Sequence, residues 1–447
     1  MTYIRYPEGH VLLRHLNRDY PVIDYGDGIY LFDTNKKRYI DASSGAMVVS
    51  IGHGNQEVSQ KIITQMNRCA YVNGLQFTSE VTEQLALSLT QRAPQGLNRA
   101  FFLNSGSEAI EAAIKLARQV CVEKKQPSRY KIITRNPGYH GNTLYALSAS
   151  ARGHYKKFFG PLLHEVITVQ APYSYRCGFE HYETQGAQYY AQALEKTILE
   201  QGPDNIAAFL CEPVIGSSAG AAVPPSGYFK AVTQVCQRYG ILMIADEVLC
   251  GTGRTGRFFA SEHFDFTPDI LVLGKGLSAG YIPLSAVLVN QSLVDIIKQG
   301  SGQLMHAQTF LQTPSMCAAG LAVIEYIDQH QLVQNAQDTG HYLIQQLHQV
   351  IAPKAYVGCT QGIGLLAGVE LVADKTTKQP FSRTQKIAEK LTQHCFDNGL
   401  IVWPNTGQAE GEQGDLIMIA PPLIITRAQV DELIHKLACC IDSFFAT

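Results

Sequence analysis

The sequence has few charged residues and no block of basic ones. Lys, Arg, Asp and Glu make up 17% of its 447 residues, below the about 25% of an average soluble protein, and the formal net charge is −2. Low charge with an ordinary apolar share of 46% favours a compact protein with a large core and a large subunit interface. Without a basic block, the composition argues against a nucleic-acid partner and against an anionic membrane surface.

Patterns typical of disulfide frameworks, zinc sites and membrane spans are also missing. The eleven cysteines are scattered and form no CxxC pair, so we expect neither a disulfide framework nor a metal site, and we expect a reducing, cytoplasmic compartment. No apolar run reaches the roughly 18 residues that a transmembrane helix needs. Residues 1–21 carry charges throughout and have no apolar centre, so we expect no signal peptide and a complete chain.

The pattern of predicted secondary structure changes at two points along the chain. Residues 1–60 indicate short strands, with turn residues at 26–28 before a β-hairpin, whereas residues 61–330 alternate apolar strands with amphipathic helices. Residues 331–447 indicate long helices around a strand pair. The strands predicted in the middle segment are Ala100–Leu103, Lys131–Thr134, Glu165–Val169, Ile206–Cys211, Ile241–Ala245, Ile270–Leu273 and Ser285–Val289. The helices predicted there are Ser107–Val120, Gly186–Glu200, Gly227–Tyr239 and Pro314–Gln329.

This alternation of strands and helices predicts an α/β fold. We expect a large domain over residues 61–330, in which a mostly parallel sheet is covered by helices on both faces. Residues 1–60 and 331–447 are expected to form a small α+β domain from both chain ends. In open α/β sheets a ligand lies beyond the carboxyl ends of the strands, so a site is expected at that edge of the large domain.

Two residues in the stretch 241–286 indicate a particular chemistry. Asp246 follows an apolar run that predicts a buried strand, and Lys275 follows a second such run, between Gly274 and Gly276. Pyridoxal phosphate (PLP) enzymes need such a pair, because a lysine forms a Schiff base with the cofactor aldehyde and a carboxylate pairs with the pyridine nitrogen. A lysine taken alone would more often be an exposed turn residue, so the interpretation depends on the pair and on the motifs around it.

Further motifs follow other predicted strands. Ser105 stands three residues before Glu108, which predicts a capped helix whose free N–H groups suit a phosphate. An ordinary capped helix would have the same sequence signal. Tyr139 lies in a glycine-rich loop and offers a ring for stacking, although loop tyrosines are often only packed against neighbours. Val248 has the same parity as Asp246 along an extended chain and is expected on the same side.

The chain resembles the class III (omega-type) aminotransferases, which have PLP fold type I. The resemblance rests on six motifs in the family's order: NSGSEAIEAAIKLAR, GYHGNT, CEPVIG, ADEVLCGTGRTG, GKGLSAGYIPL and HAQTFLQTP. It implies the PLP-dependent transferase fold type I, PLP as cofactor and a Schiff base on Lys275. It also implies ping-pong transfer of an amino group from an amine or amino acid to a keto acid, pyruvate or 2-oxoglutarate.

The resemblance also implies roles for single residues. Gly106 and Ser107 match positions that bind the cofactor phosphate, and Tyr139 matches the stacking aromatic. Glu212 matches an acid beside the cofactor. Thr309 matches a threonine that reaches the phosphate of the other subunit, which implies a homodimer with its active site at the interface. The predicted catalytic residues are Lys275, Asp246 and Tyr139, and the predicted cofactor-binding residues are Ser105, Gly106, Ser107, Tyr139, His140, Glu212, Asp246, Val248, Lys275 and Thr309.

The substrate side of the site has a weaker signal. Arg427 resembles an arginine that binds a substrate carboxylate in some omega-aminotransferases, but it is equally typical of the exposed start of a helix. Tyr25 is a candidate for the pocket wall. Other members carry an arginine just before the PPL element, whereas this chain has DLIMIAPPL there. That departure argues against a close match to the 4-aminobutyrate and ornithine enzymes.

Other reactions on the same scaffold stay open at this point. A racemase, an aminomutase and a dialkylglycine-type decarboxylase would share Lys275 and Asp246, and they differ in whether they need a keto acid and whether they release carbon dioxide. A non-catalytic binding protein of this fold would be expected to lack the lysine or to carry a DNA-binding segment, and neither is seen.

Overall fold

The computed structural model describes residues 3–409 and 411–446. The strands are β1 Tyr3–Ile4, β2 Tyr20–Pro21, β3 Ile23–Asp27, β4 Tyr30–Asp33, β5 Arg38–Asp41, β6 Leu97–Leu103, β7 Lys131–Asn136, β8 Ile167–Gln170, β9 Ile206–Cys211, β10 Leu242–Asp246, β11 Ile270–Leu273, β12 Ser285–Asn290, β13 Val357–Ile363, β14 Leu366–Leu371, β15 Leu400–Ile401, β16 Trp403–Ala409 and β17 Gln413–Ile419. The helices are α1 Ser44–Met47, α2 Gln56–Arg68, α3 Glu80–Arg92, α4 Gly106–Glu123, α5 Leu144–Ala149, α6 Gly153–Phe159, α7 Tyr182–Gln201, α8 Tyr228–Arg238, α9 Gln291–Gln299, α10 Pro314–Gln329, α11 Leu332–Gln346, α12 Ile387–Asp397 and α13 Arg427–Phe445.

A seven-stranded sheet in the order β6-β12-β11-β10-β9-β7-β8 forms the centre of the molecule. Strand β12 pairs antiparallel with both of its neighbours, and every other pair in the sheet is parallel. The carboxyl ends of all the strands except β12 therefore meet at one edge. The prediction of a mostly parallel α/β sheet is confirmed.

Both faces of this sheet are buried, which explains why its inner strands are apolar throughout. All residues of β9, β10 and β11 are buried. On β9, Phe209 belongs to one apolar cluster with Leu194 of α7 and Phe229 of α8. Its neighbour Leu210 belongs to another cluster with Ala113 of α4. Successive side chains of the strand thus enter cores on opposite faces, as the period of two requires.

Segments from the two ends of the chain meet in a second, smaller sheet. This sheet has the order β15-β5-β4-β3, and Leu400 of β15 is paired in parallel with Ile40 of β5. A further sheet, β13-β14-β17-β16, lies entirely in the C-terminal segment. Domain boundaries at residues 60 and 330 stay a prediction.

One detail of the N-terminal segment differs from the prediction. Gly26 and Asp27, which were expected to be turn residues, lie in β3, and Asp27 pairs with Tyr30. The reversal occurs at Gly28, whose φ is +56°, in the left-handed region that glycine adopts without strain. An exposed strand containing a glycine and two aspartates has little of the usual strand signal.

No helix in the described part of the chain is long and apolar enough to cross a membrane. All eleven cysteines are free thiols, and most of them are buried.

Candidate active site

Three of the predicted catalytic and binding residues lie at the ends of neighbouring strands. Asp246 is the last residue of β10, Glu212 directly follows β9, and Lys275 follows β11 after Gly274. The strands are in parallel register, with Ala245 opposite the last residue of β9. The sheet therefore brings two carboxyl groups and one amine together at its carboxyl edge, where open α/β sheets bind ligands.

Asp246 is buried, and its carboxyl group is held by two groups. Its Oδ2 atom lies 2.8 Å from Nδ1 of His140, and its Oδ1 accepts a hydrogen bond of 3.1 Å from the backbone N–H of Val248. The backbone N–H of His140 in turn donates to Oγ of Ser150 at 2.8 Å. The Nε2 atom of His140 is buried and has no partner in the described residues. His140 thus fixes the carboxylate directly.

Lys275 has an uncommon backbone conformation, and the pKa of its amine is lowered. Its φ of +39° lies in the left-handed region, which costs a non-glycine residue about 1 to 3 kcal/mol and is frequent at functional sites. Burial lowers the pKa of the amine, while the charges of Asp246 and Glu212 oppose that shift. A lowered pKa makes the neutral, nucleophilic amine more abundant near neutral pH.

Glu212 is buried and accepts two backbone hydrogen bonds. Oε1 accepts from the N–H of Gly216 at 3.0 Å, and Oε2 accepts from the N–H of Tyr139 at 3.3 Å. Burial raises the pKa of this carboxyl group; His140 lowers it and Asp246 raises it further. Through this pair of bonds, Glu212 connects the loop after β9 to the loop that carries Tyr139.

Glu247, the neighbour of Asp246, turns away from these residues. Its carboxylate accepts hydrogen bonds from the backbone N–H groups of Ala260 at 2.5 Å and Ser261 at 2.9 Å. Burial raises its pKa to about 7. The two adjacent acids therefore contact different parts of the structure, since neighbouring side chains of a strand face opposite sides.

The start of α4 offers free backbone donors next to this edge. Ser105 caps the helix reciprocally: its Oγ accepts from the N–H of Glu108 at 3.3 Å, and the Glu108 carboxylate accepts from the N–H of Ser105 at 2.9 Å. The capping box predicted from the sequence is confirmed. Ser107 Oγ accepts from the N–H of Asn142 at 3.0 Å. First-turn N–H groups without intrahelical partners, together with the helix dipole, favour an anion at this end.

Gly106 allows Val248 to approach the helix start closely. A Cβ atom at Gly106 would lie 2.7 Å from Cγ1 of Val248, and one at Gly274 would lie 3.2 Å from the same atom. Val248 therefore lies between the start of α4 and the turn that carries Lys275. Glycine at these two positions lets the start of α4 and the turn that carries Lys275 lie close together across Val248.

The ring of Tyr139 contacts Arg152, a residue that no sequence motif indicated. The guanidinium carbon of Arg152 is 4.8 Å from the centre of the Tyr139 ring, and Nη2 of Arg152 donates to Oγ of Ser217 at 2.7 Å. Arg152 lies in the segment ASARGHY, which has no motif pattern. Its position depends on three separate loops, so only the folded chain reveals it.

Three predicted residues lie apart from this cluster. Thr309 is exposed, and its carbonyl oxygen accepts from Oη of Tyr71 at 3.0 Å. Arg427 is exposed at the start of α13, with its guanidinium 5.5 Å from the ring centre of Tyr342. Tyr25 is 49% exposed and stacks on Phe32.

Comparison with known proteins decides the family. The model of the family "Aminotransferase class-III" matches residues 15–441. The chain belongs to this family. The uncharacterized aminotransferase YodT of Bacillus subtilis is 40% identical over 95% of this chain and 96% of its own length. The putrescine–pyruvate aminotransferase of Pseudomonas aeruginosa is 33% identical over 94% and 90%. The PMP-bound aminotransferase structure from Vibrio fluvialis has a TM-score of 0.89 at 32% identity, covering 96% of this chain and 94% of that one.

Class-III aminotransferases use PLP and transfer amino groups, and the residues of this class-III chain fit that cofactor. PLP needs an amine for its aldehyde, an acid for its ring nitrogen and donors for its phosphate. Lys275 has an amine of lowered pKa, Asp246 has a buried carboxylate held by His140, and the first turn of α4 provides N–H groups that have no partner within the helix. The architecture agrees with the fold type I of the solved omega-transaminases.

Proposed function

We propose that this class-III aminotransferase moves an amino group from an amine or amino acid to pyruvate or 2-oxoglutarate by a ping-pong mechanism. The observation that carries the proposal is the pairing of Lys275 and Asp246 at the ends of the adjacent strands β11 and β10. Support for the acceptor comes from relatives whose names include pyruvate and 2-oxoglutarate.

The amine of Lys275 would anchor the cofactor and carry a proton. When bound, PLP supplies an electron sink that stabilises negative charge on the substrate carbon. Nζ of Lys275 would take the proton from that carbon and return it. A general base works best when its pKa lies near the working pH, and burial lowers the pKa of this amine in that direction.

The surrounding residues would hold the cofactor in place. Asp246, fixed by His140, would keep the ring nitrogen protonated, and Val248 and Tyr139 would enclose the ring from its two sides. Gly106 and Ser107 at the start of α4 would bind the phosphate. No hydrogen bond, ion pair or ring contact in residues 3–409 and 411–446 joins Arg427 or Tyr25 to Lys275, so their part in substrate binding lacks geometric support.

We further propose a homodimer whose interface includes Thr309. The surface around this residue is unusually apolar: Phe310 is 59% exposed beside Tyr71, and Leu75 is 71% exposed in the same neighbourhood of the chain. Exposed apolar patches of this kind mark interaction surfaces. Thr309 would reach the cofactor phosphate of the other subunit, and each site would be complete only in the dimer.

The test follows the nitrogen atom. The purified protein with PLP is incubated with ¹⁵N-labelled amines or amino acids and with pyruvate or 2-oxoglutarate, and the products are analysed by mass spectrometry. We expect labelled alanine or glutamate to form with at least one donor. The variant Lys275→Ala is expected to abolish transfer, because it lacks the amine that would anchor the cofactor and move the proton.

The same experiment separates the competing reactions. A racemase or an aminomutase would change the donor without a keto acid, and a decarboxylase would release carbon dioxide. Unlabelled acceptor after complete conversion of the donor would contradict amino transfer. Normal transfer by Lys275→Ala would contradict the role of this lysine.

A further inference from the structure

The half-buried guanidinium of Arg152 has few polar partners. Arg129 and Arg254 each donate to two backbone carbonyl oxygens. Arg152 has only the hydroxyl of Ser217 as acceptor and the ring of Tyr139 beneath its guanidinium. In residues 3–409 and 411–446 it forms no ion pair, and its Nε atom is buried without a hydrogen-bond partner. Such a group is costly to bury unless a ligand completes its bonds.

This guanidinium lies over the ring of Tyr139, and the loop of Tyr139 contacts other residues of the site. Tyr139 directly precedes His140, the partner of Asp246, and its backbone N–H is bonded to Glu212. Burial is the main cause of the lowered pKa of Lys275, and the charge of Arg152 adds to that lowering. Arg152 is therefore close enough to act on the amine electrostatically, on the side where Tyr139 lies.

One arginine, Arg14, and one carboxyl group, that of Glu212, act on the charge of Arg152. Arg14 donates to Oη of Tyr155 at 2.6 Å, and its guanidinium lies 5.6 Å from the centre of that ring. Burial lowers the pKa of Arg152, the hydroxyls of Tyr155 and Tyr139 and the carboxyl of Glu212 oppose this, and Arg14 lowers it further. The nearby carboxylate of Glu212 already accepts two backbone hydrogen bonds. An anionic ligand would give Arg152 the ion-pair partner that it lacks among residues 3–409 and 411–446.

We propose that Arg152 binds the carboxylate of the keto acid, an inference that rests on the proposed amino transfer and adds the residue that selects the acceptor. A planar guanidinium donates two parallel hydrogen bonds to one carboxylate, which a lysine cannot do. Ser217 and the Tyr139 ring hold the guanidinium in one orientation. Acceptors with a carboxylate next to the carbonyl are bound by this group, and simple aldehydes lack the contact.

The first test compares acceptors with and without a carboxylate. Steady-state rates are measured with saturating amine donor and with pyruvate, 2-oxoglutarate or butanal for the wild type, Arg152→Gln and Arg152→Lys. For Arg152→Gln we expect kcat/KM to fall roughly 10- to 100-fold with both keto acids and to stay within about 3-fold with butanal, as for the loss of hydrogen bonds to a charged group. For Arg152→Lys we expect kcat/KM with the keto acids to lie between the values of the wild type and of Arg152→Gln.

A matched control comes from α6, the helix that begins directly after Arg152. Lys156 of α6 donates to the carbonyl oxygen of Ser148 at 2.7 Å, so Lys156→Gln removes a positive charge and a structural bond without touching the guanidinium. It is expected to leave the preference for keto acids over butanal unchanged. Equal losses with keto acids and butanal in Arg152→Gln would overturn the proposal, because a merely structural role would affect all acceptors.

The second test measures binding without turnover. The PLP-loaded protein is titrated with glutarate, a non-reacting carboxylate, by calorimetry. We expect Kd to rise roughly 10-fold or more in Arg152→Gln and to be unchanged in Lys156→Gln. Glutarate binding unaffected by Arg152→Gln would overturn the proposal. If the wild type transferred no amino group, the proposed function would fail, while an effect of Arg152→Gln on glutarate binding would still support an anion site.

Discussion

At the scale of single residues, the site depends on ionisable groups whose surroundings differ over a few positions. Asp246 and Glu247 are adjacent and both buried, yet one meets the imidazole of His140 and the other meets two backbone N–H groups. Lys275 is pushed toward its neutral form by burial. A buried carboxyl group beside an amine that loses its charge readily is the combination that an amino transfer through PLP requires.

Glu247 provides a residue-scale prediction about stability and pH. Its pKa is raised from 4.5 to about 7 by burial, so between these values the folded state binds more protons than the unfolded state and stability falls as the pH rises. Glu247→Gln stays neutral and lacks this effect. We therefore expect the free energy of unfolding of the variant, relative to wild type, to increase by about 2 to 3 kcal/mol between pH 5 and pH 8.

The measurement is urea unfolding of both proteins at the two pH values, with equal protein and cofactor concentrations. The glutamine amide accepts only one of the two N–H bonds from Ala260 and Ser261, and that cost does not depend on pH. A difference between the proteins that is constant with pH, or that changes in the opposite direction, would show that Glu247 is ionised in the folded protein below pH 5.

At the scale of elements, the start of α4 and the turn after β11 approach each other across Val248. This contact requires glycine at position 106, because any Cβ there would lie 2.7 Å from Val248. The capping box of Ser105 and Glu108 fixes where the helix begins. The free N–H groups therefore have a defined direction, which a phosphate site needs.

The element-scale prediction uses a substitution and its rescue. Gly106→Ala forces either the helix start or Val248 to move, and we expect the Kd for PLP to rise roughly 10-fold or more, as for overpacked sites. The double variant Gly106→Ala/Val248→Ala removes the collision and is expected to recover much of that affinity. Cofactor titrations of wild type, both single variants and the double variant complete the cycle. A double variant that binds no better than Gly106→Ala would contradict the collision.

Much of the large sheet could be predicted from the sequence, because its strands are short apolar runs between glycine- and proline-rich loops. The predicted bounds of β9, β11 and α10 agree with the structure. The exposed strand β3 could not be predicted, because its residues lack an apolar pattern. His140 and Asp246 are in contact although they are 106 positions apart in the sequence, and Arg152 lies over Tyr139. Both contacts depend on the geometry of loops, which no local sequence pattern predicts.

At the scale of the whole molecule, an apolar surface is left uncovered near Thr309. The segments around Tyr71 and Phe310 lie against each other, and both rings stay largely exposed. Burying such a surface between two copies would stabilise a dimer through the hydrophobic effect. It would also place the loop of Thr309 at the second subunit.

The prediction at this scale concerns assembly. Phe310→Glu places a charge on the proposed interface, and we expect a monomer with amino-transfer activity lowered roughly 100-fold or more, because an unpaired charge at an apolar interface costs several kcal/mol. Leu199→Glu is the control, since Leu199 is similarly exposed, at 56%, on α7. Analytical ultracentrifugation gives the assembly state of each. A fully dimeric Phe310→Glu would place the interface elsewhere.

The absorption spectrum of the purified protein with PLP tests the central claim most directly. The account predicts a visible band that depends on Lys275, bleaches when an amine or amino acid donor is added alone, and returns when pyruvate or 2-oxoglutarate follows. Bleaching and return would demonstrate both halves of the amino transfer in one sample. A band that no donor bleaches, or a band equally present in Lys275→Ala, would contradict the account.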